Sequence, residues 1–210
     1  MTRDRTRILL IRHCRTAWNR AHRFMGHTDI PLDEIGQRQA LRLPAPVASW
    51  NPSEIRCSPL LRAAQTAQPL SEDLCLPLSE DQRWIEIDMG ELAGLTWGEV
   101  TERFPDFFRQ RRACPAEAVR PGGESDRQLQ DRALDAFFDL ARDRTGEVTA
   151  VVSHGGTIKS VLAGILSVPL AEKWRLAVDN GSLSVLSETQ RGWQIDLLNY
   201  TDHLRGLPGG

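Results

Sequence analysis

No stretch of the 210-residue chain is apolar over anything near the roughly 20 residues that a membrane-spanning helix needs, so no membrane partner is expected. The N-terminal run "RILLI" is too short for the apolar region of a secretory signal. Long runs of like charge are also lacking and the net charge is only −2, which argues against nucleic acid as the main partner. Lysine is scarce, found only at 159 and 173, and the plain explanation is GC-rich coding. The four cysteines (14, 57, 75 and 114) form no CxxC pair and no metal-type spacing. They read as free thiols in a reducing cytoplasm, and neither a metal nor another cofactor is called for. No internal repeat or low-complexity linker divides the chain, so residues 1–210 are expected to form one domain with a frayed tail at 206–210.

What is present is an alternation of strand and helix signals. "RILLI" is a continuous apolar run, suited to a strand buried on both faces. Asp33 can cap a helix over "DEIGQRQALRLPAPVASW", which Pro44 and Pro46 interrupt or end. "SEIRCS" reads as a short strand, "LLRAAQTAQPLSEDL" as a helix and "RWIEIDMG" as an extended segment. Ser125 can cap "DRQLQDRALDAFFDLARD", with Leu129, Leu134, Phe137, Phe138 and Ala141 as its apolar stripe. "VTAVVSHGG" is a second buried strand, followed by the helix "TIKSVLAGIL", and "SLSVLSET" with "WQIDLLNY" reads as a terminal hairpin. An α/β domain with a mainly parallel sheet follows. Ligands of such sheets bind beyond the carboxyl ends of the strands, which pairs the exits at 12–13 and 153–156.

Those exits carry the chemistry. His13 and His154 each end an apolar strand and precede a helix start, where free N–H groups favour phosphate. Gly155 and Gly156 let the backbone approach a ligand closely. Arg62, near the start of a helix, offers a forked cation suited to phosphate. Beside His13 stands a second nucleophile, Cys14, and Cys14 to Arg20 has the Cys-x5-Arg spacing of a cysteine phosphatase.

"IRHCRTAWN", "SPLLRAAQTA", "EIDMGELAGLT", "PGGES" and "VVSHGGT" occur in the order of the histidine phosphatase superfamily, also called phosphoglycerate-mutase-like, and the chain resembles it from about Arg7 to Tyr200. The resemblance implies a three-layer α/β/α sandwich and a phosphohistidine intermediate. It implies His13 as nucleophile, with Arg12, Arg62 and His154 forming the phosphate pocket and Gly155 beside it. Asn19 would add a hydrogen bond, and Glu86 would donate the proton to the leaving oxygen. The apolar neighbours of Glu86 would favour its protonated form if the carboxyl is buried, and Asp88 and Glu91 are the competing acids. The substrate expected is a small phosphomonoester. "GHTDIPLDEIG", "GELAGLTWGEV" and "LAVDNGSLSVL" look similar to α-ribazole-phosphate phosphatases and to broad-specificity phosphatases. A homodimer is one option for the oligomeric state.

Two positions depart from the family pattern. Cys14 stands where glycine is usual, and its thiol could crowd the phosphate; Arg15 replaces an acid or amide and would add charge at the pocket mouth. They support one alternative, a phosphoester-binding pseudoenzyme; the others are a phosphoglycerate-mutase-type transferase, which needs the same pocket, and a Cys14-dependent phosphatase, which rests on the Cys-x5-Arg spacing. Trp18, Trp97 and Trp174 are candidates for a substrate cleft, with core packing as the plainer reading. Phe104, Phe107 and Phe108 are candidates for a lid, and His22, His27 and His203 are expected on the surface.

Overall fold

The computed structural model describes residues 5–207. Its centre is a six-stranded sheet in the order β3-β2-β4-β1-β5-β6. The strands are β1 (Arg7–Arg12), β2 (Glu54–Cys57), β3 (Leu78–Glu80), β4 (Val148–Ser153), β5 (Leu183–Thr189) and β6 (Gly192–Tyr200). β1, β2, β3 and β4 are mutually parallel, while β5 runs antiparallel to β1 and pairs with β6 as the terminal hairpin.

Helices α1 (Ala17–Arg20), α2 (Glu34–Ala40), α3 (Pro44–Ala48), α4 (Leu61–Leu74), α5 (Trp97–Arg103), α6 (Pro105–Ala113), α7 (Asp126–Asp143) and α8 (Gly155–Ile165) complete the chain. The period-2 alternation of β1 sorts its side chains between two layers. Leu9 and Ile11 pack on α2, α3 and α4 through Ala40, Leu43, Val47, Ala63 and Leu70. Ile8 and Leu10 pack on α7 and α8 through Ala133, Phe137, Ile158 and Val161. Each fully buried aliphatic side chain contributes about 1.5–3 kcal/mol, so the strand carrying the first polar exit is also among the most firmly anchored. The result is the expected three-layer α/β/α arrangement.

Local departures from expectation have local causes. The segment after Asp33 forms two helices rather than one, because Pro44 fits the first position of a new helix and does not merely end the old one. α4 continues through Pro69. Leu78–Glu80 forms a short exposed edge strand that its sequence does not announce. "RWIEIDMG" begins with a 3-10 turn at Gln82–Trp84 and then runs without strand pairing. Ser125 caps α7 through a capping box with Gln128, and Leu129, Phe137 and Ala141 are buried as the stripe requires. Phe138 is not part of that stripe; it is 47% exposed. Leu207 is buried, and the rest of the tail expected to fray, 208–210, lies outside the described residues.

Candidate active site

The parallel register of β1 and β4 sets Arg12 beside Ser153, so the next residues, His13 and His154, leave the sheet as neighbours. Their ring centroids are 5.2 Å apart, and the His13 N–H donates to the Ser153 carbonyl. One strand further, the Ser58 N–H donates to the Val152 carbonyl, which brings Ser58 out next to His154. Three parallel strands therefore deliver a row of polar side chains at their carboxyl ends.

His13 is fully enclosed, with its Nδ1 2.8 Å from the Cys14 carbonyl. A carbonyl only accepts, so Nδ1 carries the proton and Nε2 keeps its lone pair. Burial first, then Arg62 and Arg12, holds the imidazole well below its ordinary pKa, so it is neutral and nucleophilic at neutral pH. The backbone behind it is fixed by the loop before β5: Asn180 Nδ2 donates to the His13 carbonyl and the Gly181 N–H to the Arg12 and His13 carbonyls.

Arg62, in the first turn of α4, is fully buried. Its Nε donates to His154 Nδ1 at 3.2 Å, and its terminal nitrogens donate to the Thr28 and Gly26 carbonyls. Arg12 donates to the Val178 carbonyl, while its Nε is buried without a partner. Both guanidiniums are thus bonded to neutral acceptors, which leaves their charge available to an anion. Burial lowers the Arg62 pKa to about 10, and it remains a cation at neutral pH.

His154 accepts from Arg62 on Nδ1, so its proton sits on Nε2 and is donated to Ser58 Oγ at 2.7 Å. It therefore positions Arg62 and lies against the His13 ring. Burial and Arg62 keep it neutral.

Glu86 is drawn into the same corner by the start of α8. Its Oε2 accepts from the Gly156 N–H at 3.0 Å and its Oε1 from the Ile87 N–H at 2.9 Å. A Cβ at position 156 would lie 2.4 Å from Glu86 Oε1, and one at position 155 would lie 3.2 Å from Arg12 Nε. The paired glycines make room for these two side chains. The carboxylate is half-buried rather than enclosed, because Trp84 and Ile87 turn into separate apolar cores. The competing acids lie elsewhere: Asp88 accepts from the Gly90 N–H and Glu91 is exposed.

A clamp not foreseen from the sequence holds the Glu86 segment. Arg132 of α7 donates to the carbonyls of Arg83, Ile85 and Glu86. Its other edge forms a two-pronged pair with Glu124 of "PGGES", and Glu124 also accepts from the Asp88 N–H. His27 donates to the Glu86 carbonyl as well, so this exposed histidine has a structural partner. Arg132 sits in an amphipathic helix and gives no local signal of this role.

The side chains at the two departures are both turned away from the His13 pocket. Cys14 is buried in the α2–α4 core with Leu9, Ile11 and Leu43, and its N–H donates to Thr66 Oγ1. Burial pushes its thiol up to about 12, the wrong direction for a nucleophile. Its φ is not among the positive values, so a glycine is not required there. Arg15 is turned away by a 2.9 Å ion pair with Asp33 and adds no free charge at the mouth. Asn19 accepts from Thr16 and Asn180, which leaves its Nδ2 as the donor available to a ligand.

Beside this pocket opens a cleft of about 540 Å³, lined in part by Trp97, Phe108 and Trp174. Of the expected lid residues, Phe107 is buried and Phe104 packs against its core, so only Phe108 reaches the cleft. Trp18 instead lies near Gly94. His203, expected at the surface, is half-buried and stacked on Tyr200.

A neutral, tautomerically fixed imidazole beside the Arg62 and Arg12 guanidiniums, with the Glu86 carboxylate held at the neighbouring helix start, defines a phosphoryl-transfer protein on an α/β/α fold. Residues 8–201 match the histidine phosphatase superfamily (branch 1), and the chain belongs to that family. It is 31% identical over 198 residues to phosphoserine phosphatase 1 of Hydrogenobacter thermophilus, covering 94% of each chain. Its fold superposes on Bacillus stearothermophilus YhfR with a TM-score of 0.87, at 27% identity over 95% of this chain and 99% of the other. A putative α-ribazole-5′-phosphate phosphatase of Escherichia coli shares the fold, with a TM-score of 0.83 at 24% identity over 93% and 96% of the chains.

Proposed function

We propose that this protein is a metal-independent phosphomonoesterase for a small phosphorylated metabolite, working through a phosphohistidine at His13. The observation that carries the reading is the neutral His13, with a free Nε2 lone pair, held beside buried Arg62 and half-buried Arg12, whose hydrogen bonds go only to neutral groups. Such a pocket is electrostatically incomplete until an anion enters, and it favours the charge that develops in phosphoryl transfer.

In the first step, His13 Nε2 forms a bond to phosphorus while the ester P–O bond breaks, and the leaving oxygen takes a proton from the Glu86 carboxyl. Arg12 and Arg62 balance the equatorial oxygens. In the second step, Glu86 takes a proton from water, the water oxygen bonds to phosphorus and the P–Nε2 bond breaks, releasing inorganic phosphate. Each transfer returns the proton that the other used.

α-Ribazole 5′-phosphate is the specific substrate favoured by the sequence likeness, and phosphoserine is supported by the Hydrogenobacter relative. The test is phosphate release from a panel holding both, together with acid quenching and intact-mass detection of the phosphoenzyme. An acid-labile, base-stable adduct lost in His13→Ala is expected. A stoichiometric adduct that persists in His13→Ala and disappears in Cys14→Ser would refute the mechanism. Phosphoryl transfer to a second hydroxyl instead of water would favour the mutase reading.

A further inference from the structure

The two lysines of the chain both line the cleft beside the phosphoryl pocket, and they are used differently. Lys173 is neutralised: it lies 3.3 Å from Asp126 and 2.9 Å from Ser160 Oγ, and Asp126 is further paired with Arg120. Lys159 is half-buried, and among the described residues it makes no ion pair. Arg111 and Arg112, also in the lining, make none either among the described residues. The Arg111 guanidinium rests over the Trp97 ring, 5.9 Å from its centroid. The one acid in the lining, Asp126, is already committed, so the cleft carries unneutralised positive charge.

Its apolar surface is equally unsatisfied. Trp97 is 53% and Trp174 71% exposed, and the Phe108 ring meets Trp97 edge-on at 5.0 Å. Large aromatic faces open to water are an unsatisfied apolar surface and cations without a partner offer charge to an anion, and a bound ring carrying an anion matches both. The volume, about 540 Å³, suits a small organic group. Lys159 joins the two sites: it lies on α8 one turn beyond Gly155, where Arg12, Asp179 and Glu86 act on its charge.

We infer that this cleft is a leaving-group subsite for a planar or ring-bearing body with a second anionic group, bound by Lys159 and Arg111 against Trp97 and Trp174. The inference deepens the phosphomonoesterase reading and rests on it, since the cleft serves a leaving group only if the phosphoryl group is seated at His13. It also ranks substrates: a neutral aromatic leaving group satisfies the rings and leaves the cations bare, whereas an anionic one satisfies both.

The test compares phenyl phosphate with 4-carboxyphenyl phosphate, which differ by one carboxylate. The readout is the ratio of their kcat/KM values in the wild type, Lys159→Met, Arg111→Met and Lys159→Arg. The wild type is expected to favour the carboxylate about tenfold, the scale of a partly exposed charge-assisted contact. Each methionine variant should bring the ratio toward one, and Lys159→Arg should preserve most of it, which separates lost charge from lost folding. In parallel, calorimetric Kd values for both esters are measured on His13→Ala. A tenfold Kd preference there with no turnover in the wild type would keep the subsite and refute the phosphatase reading. A ratio near one in the wild type with equal Kd values would overturn the subsite, as would a preference that survives both methionine variants.

Discussion

The phosphoryl pocket and the neighbouring cleft are both lined by cations, yet they are built in opposite ways. In the pocket, buried Arg62 and half-buried Arg12 are aimed by carbonyls and an imidazole before any ligand arrives. In the cleft, Lys159 and Arg111 stand half-buried on a helix flank and beside an exposed tryptophan. Charge fixed in advance costs no reorganisation during reaction and suits the group common to every substrate. Charge on flexible stems accommodates the part that differs. The fixed charges stand at the carboxyl ends of the parallel strands, and the flexible ones stand on α8 and on the helices between "EIDMGELAGLT" and "PGGES".

The largest effect that can break this division is at the nucleophile. His13→Ala should lower turnover by at least about 10⁴-fold, while Cys14→Ser should leave kcat near wild type. Steady-state phosphate release reads both. If Cys14→Ser proves as inactive as His13→Ala while remaining folded, the rigid pocket has been assigned the wrong nucleophile. Cys14→Ser should instead cost about 1–3 kcal/mol in denaturant unfolding, because a hydroxyl replaces a thiol among aliphatic side chains.

Next comes the clamp on Glu86. Arg132→Met should lower kcat by up to about 10²-fold with little change in KM, since a displaced carboxylate weakens proton transfer and not phosphate binding. A positioning role has a further signature: the loss should shrink for p-nitrophenyl phosphate, whose leaving group needs no proton. Equal losses on alkyl and aryl esters would make Arg132 merely structural.

Acid stability gives a smaller effect that also separates the regions. Folding holds His13 and His154 below the ordinary histidine value of 6.5. The unfolded chain therefore takes up protons that the folded one refuses, and stability falls as pH drops below about 6.5 while being unaffected above it. Melting temperatures from pH 8 to pH 5 should show this slope, and His154→Gln should flatten it. The smallest effect is expected from Arg15→Gln. With its charge already matched by Asp33, this change should alter stability by no more than about 1 kcal/mol. It should also leave the ratio of anionic to neutral substrates where it was.

The parts of this architecture legible in the sequence are those specified by neighbours along the chain. "RILLI" and "TAVVS" declare buried strands, and the polar residues after them declare their exits. Ser125 and Asp33 declare helix starts. What was not legible depends on contacts across the fold. The roles of Ser58, Thr66, Glu124, Arg132 and Asn180 exist only once distant backbone groups arrive beside them. Cys14 misleads for a subtler reason: strand alternation would place it on the side of Arg12, but β1 ends at Arg12 and the chain turns, sending the thiol into the α2–α4 core instead. Arg15 misleads because its partner lies 18 residues away.

The strand that leads into His13 pairs on one side with β4 and on the other with β5. Its backing loop, Val178 to Gly181, comes from the last sixth of the chain. The backbone at His13 is therefore completed only by residues 167 positions further along the chain, a contact of long sequence separation that forms late relative to local structure. Premature termination anywhere before β5 should yield an inert fragment and not a poorly discriminating enzyme.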